Sequence, residues 1–106
     1  MGKLLNTDQI DQYRKDGAVL IKGKFDKAWI ERLREGISKD ILNPSPRFVR
    51  HTKDDNLPGY FEDFWTWDLF DEFTDFVHNS PTAQIASELM DASQVNLVMD
   101  NWFLRE

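Results

Sequence analysis

Val95-Asn-Leu-Val-Met-Asp-Asn-Trp-Phe-Leu-Arg-Glu106 reads as a long β-strand with no turn after it, and its pattern decides the class of fold. Side chains alternate along a strand, so Val95, Leu97, Met99 and Asn101 fall on one face and Asn96, Val98, Asp100, Trp102 and Leu104 on the other. Apolar residues dominate both sets, which predicts a strand buried on two sides inside a layered sheet. The rest of the chain offers little sheet to bury it in. An apolar edge of this length invites pairing. The chain therefore reads as the front portion of a larger design, or as a small domain that completes itself through a partner.

Upstream of this strand, Asp91-Ala-Ser93 forms a turn, and Ser80 with Pro81 at the first helical position opens a helix carrying Ile85, Leu89 and Met90 inward. Between Tyr60 and Val77, eight aromatic residues are interleaved with acidic ones, and Trp65, Leu69, Phe73 and Phe76 or Val77 fit one face of a helix. Arg47 to Gly59 is a polar loop without a period. Asn43-Pro-Ser-Pro46 precedes it and stops a helix, because proline lacks a donor and restrains the residue before it. That helix is capped by Asp26 and carries Trp29, Ile30, Leu33, Ile37 and Ile41 at helical spacing. Ala18-Val-Leu-Ile21 is a short apolar strand ended by Lys22-Gly23. A first helix over roughly 7–16 has Asn6 and Gln9 as a capping box and Gly17 as its stop.

The class is thus α+β, about four helices with a small sheet of two or three strands, in a single domain over 1–106. At 106 residues there is chain for one core and not two. A net charge of −6 with singly scattered basic residues argues against nucleic acid, since affinity for phosphates rests on Lys and Arg clusters. The absence of cysteine excludes disulfides, thiolate-held metals and thiol catalysis. The start lacks the apolar stretch of a secretory signal, and no run approaches the roughly 18 apolar residues of a membrane span. A soluble, cytoplasmic protein is expected.

The order of these elements carries a resemblance. Asn6-Thr-Asp-Gln-Ile-Asp-Gln-Tyr-Arg-Lys-Asp-Gly17, the strand Ala18-Val-Leu-Ile-Lys22, Phe25 and the helix with Trp29-Ile-Glu-Arg-Leu-Arg34 closely resemble the opening of phytanoyl-CoA dioxygenase-like proteins. Leu89-Met90 and the strand from Val95 to Glu106 look like that family's helix and strand just before its metal site. The likeness runs across nearly the whole chain and includes no catalytic signature.

It implies the N-terminal part of a double-stranded β-helix (jelly-roll) oxygenase that uses Fe(II), 2-oxoglutarate and O2 to hydroxylate a small or lipid-like substrate. Iron in such enzymes sits on two His and one carboxylate, with the other positions open. The family's His-x-Asp or His-x-Glu motif follows the strand that closes this sequence, and its second His comes much later. This chain is therefore expected to lack the catalytic core, to hold no metal or cofactor and to be inactive alone. Arg105 aligns with a basic position that helps hold the 2-oxoglutarate carboxylate in several members, and Asn101 shares its strand; the resemblance gives both a cosubstrate role only in an intact enzyme.

The histidines present, His51 and His78, do not supply the missing motif. His51-Thr-Lys-Asp54 has one residue too many, and local spacing does not bring His51 to His78. His51 reads as solvated and His78 as lying at a helix C-terminus, where a cation is mildly favoured. The aromatic stretch reads as core, with Tyr60 or Trp67 lining a substrate entrance. Glu62, Asp63, Glu72 and Asp75 read as a solvated helix face. Arg47, Arg50, His51 and Lys53 form the local basic cluster, an ordinary surface loop or one that meets an anionic substrate. The alternative to an oxygenase part is a non-catalytic module whose final strand dimerises or augments a partner's sheet.

Overall fold

A computed structural model describes residues 2–106 as four helices and a three-stranded antiparallel sheet. The element order is α1 (Thr7–Asp16), α2 (Lys27–Leu42), β1 (Val49–Arg50), β2 (Tyr60–Phe64), α3 (Asp71–Asn79), α4 (Thr82–Met90) and β3 (Asn101–Arg105). The α+β class stands.

The first two helices form where local chemistry dictates. Asn6 Oδ1 accepts from the Gln9 amide at 2.8 Å, and Gln9 Oε1 accepts from the Asn6 amide at 3.0 Å. Each thereby satisfies an orphan donor at the helix start. Gly17 closes α1 in the left-handed conformation, φ 76°, with its amide on the Tyr13 carbonyl. Asp26 caps α2 through the Trp29 amide at 3.1 Å. The inward face of α2 is Leu33, Gly36, Ile37 and Asp40; Ile30 and Ile41, expected inward, are exposed. Gly36 lets α3 approach, because a Cβ there would lie 2.6 Å from the Phe73 ring. Met90 on α4 is likewise exposed rather than inward, and Ser80 accepts from the Thr82 amide with Pro81 between them.

Three expectations fail further along. Tyr60–Phe64 is a strand, and the helix begins only at Asp71, so Trp65 and Leu69 lie in a turn and are half exposed. The loop after Pro46 contains β1, paired with β2 as Val49↔Glu62 and Arg50↔Phe61. Ala18 to Ile21 forms neither helix nor strand among the described residues, and Leu20 is 76% exposed.

The final strand is shorter and barer than expected. Only Asn101–Arg105 pairs with β2, and the stretch before it runs without strand partners, with Val98 91% exposed. Burial on two sides is therefore wrong: within β3, Trp102 and Leu104 are half-buried while Asn101, Phe103 and Arg105 are exposed. The reason is that no layer among the described residues packs on the face that carries Asn101, Phe103 and Arg105. The sheet order is β1-β2-β3, so β3 is also an edge strand.

Candidate functional site

The interior is polar where a small domain is ordinarily apolar. Leu5 and Phe73 are the buried apolar side chains among the described residues, whereas the largest wholly buried ones are Glu72, Thr66, Asp40 and Asp63. Two of these were expected on a solvated helix face, and the structure corrects that: Asp63 is on β2 and Glu72 begins α3 beneath α2.

Asp40 and Asp63 meet where α2, the α2–β1 connection and the sheet converge. Asp63 accepts from the Ser45 amide at 3.0 Å, the Ser45 hydroxyl at 2.5 Å and the Phe64 amide at 2.9 Å. Asp40 Oδ2 accepts from Trp102 Nε1 at 2.9 Å. Burial, then the hydrogen bond with Asp63, pushes Asp40 up to about 7, with Trp102 opposing. Burial pushes Asp63 up as well, but the hydrogen bonds from Asp40, Ser45 and Phe64 outweigh it and hold Asp63 below the ordinary carboxylate range.

A split pair of this kind has the electronic form of a general acid and base. Both carboxyls are wholly buried, and neither lines the two cavities that flank them. Asp100 also accepts beside them, from the Thr66 amide and hydroxyl and from the Trp67 amide. Glu72 accepts twice from Lys39 Nζ, at 2.8 and 2.9 Å, and that bond holds it below its ordinary value.

Two cavities flank this knot. One of about 200 Å³ lies between α2, α3, Trp67 and Trp102. A wider groove of about 630 Å³ lies between α3, α4 and the unpaired stretch before β3, with Met90, Val95, Leu97 and Met99 on its wall. Trp67 lines both, and Tyr60 lines neither.

Asn101 and Arg105 both sit on the exposed face of β3, four residues apart, which is about 13 Å of strand. Asn101 lines both cavities and Arg105 lines neither. His51 stacks on Tyr60 at 4.7 Å, with Nε2 3.5 Å from Glu62 Oε1. His78 lies in the last turn of α3 against Trp67. His51 follows β1 and His78 lies on α3, and among the described residues no three His, Asp or Glu side chains converge on a metal-sized point. The basic loop is spent internally: Arg47 donates to the Phe64 and Trp65 carbonyls at 2.9 and 2.8 Å, and Arg50 to the Thr52 carbonyl at 2.8 Å.

The sheet's exposed face carries an aromatic ladder, His51–Tyr60–Phe103, ending at the open edge. The polarity of that edge follows from its hydrogen bonds. The Trp65 amide donates to the Asp100 carbonyl and the Glu106 amide to the Gly59 carbonyl, so even-numbered residues of β3 face β2. The amides and carbonyls of Asn101, Phe103 and Arg105 consequently point outward, and their side chains are exposed as well. No helix is long and apolar enough to cross a membrane among the described residues.

Comparison of the chain with protein-family models, with curated proteins and with solved structures gave no match.

Proposed function

We propose that these residues are the N-terminal part of a phytanoyl-CoA dioxygenase-like domain, an Fe(II)/2-oxoglutarate-dependent hydroxylase of a small or lipid-like substrate whose jelly roll completes the sheet begun here. The observation that carries the reading is the pair of apolar stretches without strand partners. Ala18 to Lys22 and Val95 to Asp100 fall where the resemblance expects strands, and they leave Leu20 and Val98 exposed. Added strands would cover both and would take the outward amides of β3.

The residues present do not fit the family's iron. No His-x-Asp or His-x-Glu occurs in the sequence, and His51 and His78 are held apart by their own stacking partners. No chemistry is therefore assigned to this chain alone. Asn101 and Arg105 keep a cosubstrate role only in the intact enzyme. Coding sequence continuing in frame past Glu106 to a His-x-Asp or His-x-Glu motif and a distant second His is the expected result. A stop codon directly after Glu106 would remove the proposal, as would a calorimetric and charge-transfer response of this chain to Fe(II) with 2-oxoglutarate.

The aromatic ladder favours a second reading, a non-catalytic module that pairs β3 with β3 of a second copy. With Phe103 on the two-fold axis, outward amide faces outward carbonyl, Asn101 lies opposite Arg105 of the other copy, and the ladder continues through both sheets. Light scattering across a concentration series separates the two: a clean monomer at high concentration counts against the pairing.

A further inference from the structure

Asp40, Asp63 and Trp102 tie the helical layer to the edge strand, and neither reading of what completes the sheet uses them. Both carboxyl groups are wholly buried. Asp63 has three donors and is satisfied as an anion. Asp40 has one, Trp102 Nε1 on Oδ2, while its Oδ1 is buried without a hydrogen-bond partner among the described residues. A buried carboxyl with one donor and one partnerless oxygen, in the field of a neighbouring carboxylate already satisfied as an anion, is costly to ionise. The proton therefore belongs to Asp40, whose Oδ2 accepts from Trp102, and not to Asp63, which already has three donors.

We propose that this proton is a pH-dependent latch on β3: while it is present Asp40 ties α2 to β3 through Trp102, and its loss adds a second buried negative charge to that of Asp63 and loosens the edge strand. The groups around Asp40 agree in sign. Asp63 faces it from β2, Asp100 from the residue just before β3, and Ser45 lies between α2 and β1. The nearby α3 presents Glu72, already neutralised by Lys39. Further charge on Asp40 meets carboxylates on the sheet side.

The direction follows from linkage. In the closed state Asp40 holds its proton up to about 7, whereas once β3 has opened and water enters, the carboxyl returns towards its ordinary 3.8. The open form binds fewer protons between these values, so opening becomes easier as pH rises through that window and levels off above it. A proton at the seam thus sets how readily the edge of the sheet becomes available, whatever strand pairs with it.

Amide hydrogen exchange of Trp102 and Leu104, corrected for the intrinsic rate, reads the opening directly. The expected result is an opening constant that rises about tenfold per pH unit between about pH 5 and 7. Asp40→Asn presents a donor to Asp63 and an acceptor to Trp102 with no proton to lose, and its opening constant should be flat over the same range. A flat profile in the unaltered chain, or the same slope in Asp40→Asn, would overturn the latch. Infrared spectroscopy of the unaltered chain decides the matter even if the variant does not fold. A protonated-carboxyl stretch present in mild acid and lost across neutrality supports the latch, and its absence in mild acid refutes it.

Discussion

Gly36 and Lys39 show how much rests on single side chains where so little apolar surface is buried. A Cβ at Gly36 would lie 2.6 Å from Phe73, the one buried aromatic, and 3.1 Å from the Cβ of Glu72. Gly36→Ala is expected to cost about 1–3 kcal/mol, read by urea unfolding, because α2 and α3 must separate to admit it. Lys39 is more than half exposed, yet its ammonium is the partner of a carboxylate that is 1% exposed. Lys39→Met strands that carboxylate and should cost about 1–3 kcal/mol. The pH profile gives the finer test. Glu72 is held below its ordinary 4.5, so its contribution is present above that value and lost as pH falls. The methionine variant should lose this acid-side slope; a slope equal to that of the unaltered chain would show that Lys39 does not hold Glu72.

At the scale of elements, the edge strand makes the clearest prediction. Phe103 is 58% exposed on the outward face of β3, so Phe103→Lys removes little buried area while placing a charge on an open edge. Self-association measured by light scattering should fall, with a change in unfolding free energy within about 0.5 kcal/mol. The elements also divide into those legible in the sequence and those not. The starts of α1 and α2 were legible because Asn6, Gln9 and Asp26 act within three residues of themselves. β2 was not: Trp65, Leu69 and Phe73 fit a helical period, and it is pairing with β1 and with β3, some forty residues downstream, that makes Tyr60–Phe64 a strand. Trp65 marks the break, with a left-handed φ of 53° held by Arg47 and by the Asp100 carbonyl. The buried acids were illegible for the same reason, since their partners come from other elements. One signal was available: Asp40 continues the stripe of Leu33 and Ile37, a carboxylate where a helix should be apolar.

The whole molecule is open for its size. A compact chain of this length has a radius of gyration of about 13 Å, against 16.1 Å here, and the extents are 47 × 28 × 25 Å. Its accessible surface is 7834 Å², where a compact monomer of 12.5 kDa exposes about 6,200 Å². The excess is more than one partner contributes to an ordinary protein interface, about 800 Å². It includes Leu20, Leu97, Val98 and Phe103, which lie on the two unpaired stretches and on β3. The proposed completion of the sheet by further strands would account for the shape, the surface and the polar seam together, because it would give the exposed apolar residues an opposing face. Residue-by-residue amide exchange along 95–106, on the chain held monomeric by dilution, tests this most directly. Protection should alternate, with Trp102, Leu104 and Glu106 slowed and Asn101, Phe103, Arg105 and the residues from Val95 to Met99 exchanging at intrinsic rates. Protection of both sets in the monomer would mean that the edge is already covered and would contradict the account.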